Sequence, residues 1–147
     1  VAGIESAADF RLSARRLLEL ADGLRQMAPV FQRTGATHQA AITDGERVIS
    51  FHEDVSRHSA LDKVVGECLI RHADLSRTAL LLTGRACATT IARALRAGIP
   101  VVVSRGAPTQ LAVDMAEERG QVLAGFARQG RLNIYTRFAR AAALEML

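Results

Sequence analysis

Thr78-Ala79-Leu80-Leu81-Leu82-Thr83, then Gly84-Arg85, a helix-patterned stretch over residues 87–97, and Gly98-Ile99-Pro100-Val101-Val102-Val103-Ser104 form the succession that decides the fold. Residues 78–83 are a short apolar run bounded by turn formers, the pattern of a buried strand. The helical stretch stops at Gly98, a residue suited to a helix C-terminus. Residues 100–104 form a second strand, of three valines. Two strands joined through a helix make a β-α-β unit with parallel strands. The pattern then repeats. A helix is expected over residues 108–119, with Pro108 near its first position and Gly120 at its end. A strand over 121–126 follows, and Gln129-Gly130 turns the chain into residues 132–135.

Upstream of this unit, Phe10, Ala14, Leu17, Leu18, Ala21, Leu24 and Ala28 keep helical spacing and predict a helix over residues 10–28, broken at Pro29. Asp44-Gly45 between residues 37–43 and 47–53 is a strong hairpin signal. A helix over residues 60–72 follows, with Leu61, Val64, Val65, Cys68 and Leu69 as its apolar stripe. Ser59 stands three residues before Asp62, as in a capping box, and is read as its N-cap. The expectation is one α/β domain over residues 1–147, three-layered α/β/α, its mixed and mainly parallel sheet carrying an antiparallel hairpin at one side.

The composition narrows the function. The chain has 147 residues, 49% hydrophobic and 23% charged, which argues against disorder. No apolar run approaches the roughly 20 residues of a membrane span, and Val1-Ala2-Gly3 does not open a signal peptide. A start other than Met reads as a piece of a longer protein. Two cysteines outside any Cys-x-x-Cys pair fit a reducing cytoplasm. Eighteen of nineteen basic residues are Arg and the net charge is +4. That balance suits phosphate recognition by guanidinium. The arginines are scattered and aromatics make up only 4%, which speaks against a nucleic-acid surface built on stacking.

Candidate chemistry falls in three loops at strand ends, where α/β sheets bind ligands. Residues 53–58 bring Glu53, Asp54, Arg57 and His58 ahead of a helix, with Lys63 in its first turns. The second loop is Thr83-Gly84-Arg85. The third is Ser104-Arg105-Gly106-Ala107-Pro108-Thr109. Hydroxyl, glycine and arginine beside free helix-start amides are what an oxyanion needs. Each has a structural reading too. Asp54 can pair with Arg57, Thr109 can cap a helix, and Lys63 can pair with Glu67. Glu53 and His58 can alternatively act as base and proton shuttle. His38, His52 and the cysteines lack the close-spaced ligand pairs of a zinc site, so no zinc is expected. Cys87, just inside a helix start, is either a thiol of lowered pKa or, the favoured reading, a buried inert one. Cys68 lies on the apolar stripe and reads as core.

These motifs, in order, resemble the FdhD family, the formate dehydrogenase accessory sulfurtransferases. The resemblance runs from about residue 31 to residue 136. It rests on Thr34-Gly35-Ala36-Thr37-His38, on residues 53–63, on Thr83-Gly84-Arg85, on Ala97-Gly98-Ile99-Pro100, on residues 104–109 with Leu111-Ala112, and on Gly125-Phe126-Ala127-Arg128 with Asn133-Ile134-Tyr135. It implies a cytidine-deaminase-like fold without zinc. It implies a cytoplasmic, dimeric sulfur carrier that takes a persulfide from a cysteine desulfurase. The sulfur passes to the molybdenum (or tungsten) bis-pyranopterin guanine dinucleotide cofactor of formate dehydrogenase, with GDP as a partial mimic. Cofactor contacts are then expected at Thr34, Gly35, His38, Glu53, Asp54, Arg57, His58, Lys63, Thr83, Gly84, Arg85, Ser104, Arg105, Pro108 and Thr109. The family's Cys-x-x-Cys loop lies before the matched segment and has no counterpart here, so no catalytic residue is expected in this chain. Ser56, Ser59 and Ala36 depart from the family pattern, and a serine at 56 questions the loop conformation. A cofactor-binding chaperone module without sulfur transfer, and a hydrolase or deaminase-like enzyme, stand as the alternatives.

Overall fold

The computed structural model describes residues 11–136 and 143–145. Phe10, the expected start of the first helix, and Val1-Ala2-Gly3 lie outside them. The described elements are β1 (Arg11–Ser13), α1 (Ala14–Gly23), α2 (Pro29–Thr34), β2 (His38–Thr43), β3 (Val48–Asp54), α3 (Arg57–Ile70), β4 (Ala79–Leu82), α4 (Ala88–Arg96), β5 (Val101–Ser104), α5 (Gln110–Arg119), β6 (Val122–Arg128), β7 (Arg131–Ile134) and β8 (Ala143–Glu145). Six strands form one sheet in the order β3-β2-β4-β5-β6-β7, and β1 pairs with β8 in a separate parallel ribbon. β4, β5 and β6 are parallel; β2 is antiparallel to both β3 and β4, and β7 is antiparallel to β6. The α/β class and the mixed sheet expected from the sequence are observed, but the sheet is not mainly parallel: two of its five pairings are parallel and three antiparallel, because β7 adds an antiparallel edge opposite the hairpin.

The sheet is covered on both faces. Leu17, Leu18, Ala21 and Leu24 pack with Ala41, Leu81, Val101, Val103 and Ala124 on one side. Leu61, Val64 and Cys68 of α3, Ile91 and Ala94 of α4, and Ala112 and Ala116 of α5 pack with Ile42, Leu80, Leu82, Val102 and Leu123 on the other. Successive residues of a strand point to opposite faces. Leu80 and Leu81 therefore feed different cores, and a continuous apolar run fills both. Cys68 is 2% exposed, a core residue as its place on the apolar stripe suggests.

Several boundaries differ from the sequence reading, four of them for a clear local reason. The first helix stops at Gly23, and its N-cap Ser13 accepts from the Arg16 amide at 3.2 Å. Pro29 opens α2 rather than ending the first helix, because proline's missing N–H costs nothing at a helix start. The N-cap of α3 is Ser56, not Ser59. Its hydroxyl accepts from the Ser59 amide at 3.3 Å, so Arg57 and His58 are helical rather than in the loop. Helix α5 begins after the N-cap Thr109, while Pro108 bridges to Ala86 in the preceding loop.

The backbone packs closely beyond the carboxyl ends of the parallel strands. A Cβ on Gly84 would lie 3.0 Å from the Arg57 Cβ and Cδ and 3.3 Å from the His38 Nδ1. A Cβ on Gly125 would lie 2.8 Å from the Pro108 Cδ and 3.2 Å from the Gly106 carbonyl oxygen. Glycine inside strand β6 thus marks a close approach of backbones. Gly125→Ala should therefore destabilise the fold by about 1–3 kcal/mol through overpacking. An unchanged midpoint in urea denaturation would show that this row is not tightly packed.

Candidate functional site

Strands β3 to β6 all end at one edge of the sheet, and β2 begins there at His38. Short loops lead from β3, β4 and β5 straight into α3, α4 and α5. Three helix N-termini therefore converge on that edge. Their N-caps are Ser56, Cys87 and Thr109, and none of the three helices has an acidic side chain in its first turn. The partial positive charge of each helix start is not cancelled from within its own helix.

The loops are held in place by hydroxyls, of which that of Ser104 is buried. Ser104, fully buried, donates to the Gly84 carbonyl at 2.6 Å and accepts from the Gly106 amide at 3.0 Å. The Thr83 hydroxyl accepts from the Gln39 amide at 2.8 Å. Both side chains hold loop to loop. Thr109 accepts from the Ala112 amide at 3.2 Å as the cap of α5, and the third loop's Thr109 amide donates to the Ala86 carbonyl at 2.9 Å.

Three arginines serve this edge differently. Arg57 lies in the first turn of α3 against Gly84, makes no ion pair among the described residues, and has a buried Nε without a partner. Arg85 is exposed and likewise makes no ion pair among the described residues. Arg105 is engaged: it meets Asp22 at 2.7 Å and donates to the Ala21 carbonyl at 3.2 Å, so it binds α1 to the edge. A small crevice between β2, β4, α3 and α4 is lined by Gln39, Arg57, Leu82, Gly84, Arg85 and Thr90. Gln39 is 1% exposed; its amide nitrogen donates to the Thr37 carbonyl and hydroxyl at 2.9 and 3.1 Å, and its Oε1 has no partner.

The acidic residues of the opening loop are occupied. Glu53 accepts from the Val30 and Phe31 amides at 2.8 and 2.9 Å and from the Thr37 hydroxyl at 2.6 Å. It caps α2 from a neighbouring strand, a service that Ala28, the N-cap of α2, cannot give. Burial pushes the Glu53 carboxyl up, but the Thr37 hydroxyl and the two amides outweigh it and hold it below the ordinary carboxylate value. Asp54 pairs with Lys63 at 2.6 Å and accepts from the Ser56 amide at 2.9 Å. The pairs of Asp54 with Arg57 and of Lys63 with Glu67, read from the sequence, do not form. Glu67 instead receives Ser50, Arg71 and His52, the last at 3.0 Å. Thr34 and Gly35 close α2: the Thr34 hydroxyl donates to the Val30 carbonyl at 2.8 Å, and Gly35 takes the left-handed conformation at φ 66°.

Among the expected site residues, the structure brings His38, Arg57, Gly84, Arg85 and Pro108 into one line along the edge, and His58 sits beside Arg57. Glu53 and Lys63 brace the wall behind it. Neither Ser56 (φ −97°) nor Ala36 takes a positive φ, so these departures leave the backbone unstrained. Gln39, Gly106, Gly125 and Thr90 also belong to the edge. A glutamine among apolar strand residues and a glycine inside a strand were the available signals for the first and third. Among the described residues, no three His, Cys, Asp or Glu side chains are placed to hold a metal ion.

Both edge histidines are held below the ordinary histidine value. Burial lowers the His38 pKa, and Arg57 and Arg25 lower it further. Burial, Arg57 and Arg93 lower that of His58 against an opposing push from Asp62. A histidine depressed in the fold takes up protons first in the unfolded chain, so stability should fall as pH drops below the ordinary value of 6.5. Urea midpoints at roughly pH 7 and pH 5 should differ, and a His38→Asn, His58→Asn double variant should reduce that difference. An undiminished difference would assign it to other groups. Glu53→Gln should speed hydrogen exchange at the Val30 and Phe31 amides. Unchanged exchange there would contradict the cross-strand cap.

Comparison with known proteins places this geometry. The chain matches the FdhD/NarQ family model over residues 1–142. It is 44% identical over 135 residues to the sulfur carrier protein FdhD of Streptomyces coelicolor, covering 90% of this chain and 48% of that protein. It is 37% identical over 125 residues to that of Halalkalibacterium halodurans, covering 85% of this chain and 46% of that one. The chain thus spans about half the length of the curated relatives it matches. A crystal structure of a protein assigned as a formate dehydrogenase accessory protein from Desulfotalea psychrophila superposes with a TM-score of 0.82 at 29% identity, covering 92% of this chain and 59% of that one. On the family match over nearly its whole length, this chain belongs to the FdhD/NarQ family.

Proposed function

We propose that this chain is the nucleotide-holding part of a sulfur carrier that prepares the molybdenum (or tungsten) bis-pyranopterin guanine dinucleotide cofactor for formate dehydrogenase. The observation that carries the reading is the convergence of three helix N-termini, none with an acidic first turn, on an edge that also presents Arg57 and Arg85. Such an edge is built for phosphate. The guanine dinucleotide parts of the cofactor carry diphosphates, which fit it in charge and in hydrogen-bond demand. The Arg57 Nε and the Gln39 Oε1 are a buried donor and acceptor without partners beside that edge.

In this reading, the amides that open α4 and α5 and the Gly84 amide face phosphate oxygens. Arg57 and Arg85 supply charge from either side of Gly84. His38 and His58, their pKa values lowered, serve as hydrogen-bonding groups rather than as cations. Arg105 acts indirectly, by fixing α1 beside the edge. When bound, the cofactor supplies the metal whose sulfur ligand is installed. The sulfur comes from a cysteine desulfurase partner, and the working form is a cytoplasmic homodimer.

Calorimetry with GDP tests the site. GDP should bind, and Arg57→Ala and Arg85→Ala should each weaken it by about 1.5–3 kcal/mol, roughly 10- to 150-fold, as expected for losing a hydrogen bond to a charged group. Absence of GDP binding to a chain that remains folded by circular dichroism would overturn the reading.

A further inference from the structure

Helices α4 and α5 each connect two parallel strands of the sheet, so they lie side by side and run in the same direction. Ile91, Ala94, Ala112 and Ala116 on their inner faces are buried against the strands. Their outer faces meet in a groove of about 450 Å³. It shares no lining residue with the crevice at the carboxyl edge. Leu95 and Met115, each partly buried, line it together with Leu111, which is 62% exposed. A large exposed leucine beside two half-covered apolar side chains is the kind of patch that marks an interaction surface.

The charges around the groove are of both signs. Arg96 and Arg119 line it with Asp114 and Glu118. Among the described residues, Arg96, Arg119 and Glu118 make no ion pair, and Asp114 accepts from the Gln110 amide group at 2.8 Å. Arg93, the other cation in the last turn of α4, is engaged with Asp62 at 2.9 Å. A face whose cations and anions do not satisfy one another within the chain is complementary to a rotated copy of itself. A two-fold axis running along the groove lays α4 of one copy over α5 of the other. Leu95, Leu111 and Met115 then meet apolar counterparts, and Arg96 in the last turn of α4 falls opposite Glu118 in the last turn of α5. Symmetry makes that pair twice.

We propose that the groove between α4 and α5 seats a second copy of this chain, in a two-fold contact with an apolar centre flanked by two Arg96–Glu118 pairs. The inference rests on the homodimer reading above and names its surface. The mixed signs favour self-association over a partner of one charge, since a strongly acidic or basic partner would meet repulsion from half of the rim.

Light scattering after size-exclusion chromatography tests it by mass, 15.8 kDa for the single chain. Twice that mass is expected. Arg96→Glu should return the single-chain mass, because it sets like charges opposite each other at two places. The Arg96→Glu, Glu118→Arg double variant should recover the dimer, because the exchanged charges meet again across the axis. Leu111→Ser should weaken the dimer without new repulsion. Circular dichroism and GDP binding should be unchanged in the two charge variants, whose substitutions lie away from the helix starts. An Arg96→Glu variant as dimeric as the parent, or a double variant that stays single, overturns this surface and leaves the homodimer reading standing. A parent chain of single mass removes the homodimer and this inference with it. GDP binding on the same samples reports on the nucleotide site separately.

Discussion

The buried Ser104 hydroxyl, donating to Gly84 and accepting from Gly106, sets the distance between the two loops on which the candidate site depends. Two parallel strands leave their terminal backbone groups unpaired. In a fully buried position such groups must find partners. Ser104 answers two of them at once. The loops can then lie flush because Gly106 carries no side chain where the backbone of Gly84 and Arg85 sits. The helix starts that follow inherit their positions from this packing.

The edge is electropositive by arrangement rather than by charge density. The net charge of +4 is modest, and the arginines are spread along the chain. Two acids that could neutralise the edge are engaged elsewhere: Glu53 by the α2 amides and Thr37, and Asp54 by Lys63. Arg105 is spent on Asp22, which leaves Arg57 and Arg85 as the cations facing the edge.

Much of this was legible in the sequence. The apolar runs of β4 and β5, the Asp44-Gly45 turn and the glycine stops define the layers. The rule that α/β ligands bind beyond strand ends picks out three loops that the fold brings to one edge of the sheet. What escaped depended on distant partners. Ser59 and Asp62 imitate a capping box, whereas the cap is Ser56. Glu53 looks like a base until α2 is seen to rest on it, a contact across 22 residues of chain. Arg105 looks like a phosphate ligand until Asp22, 83 residues away, claims it.

The central claim is that nucleotide phosphate binds at the carboxyl edge of the sheet. Nuclear magnetic resonance titration of the chain with GDP tests it most directly. The largest amide shifts should fall at Gly84, Arg85, Gly106 and the first turns of α4 and α5. Shifts concentrated instead in the groove between α4 and α5, around Leu95, Leu111 and Met115, would contradict the account.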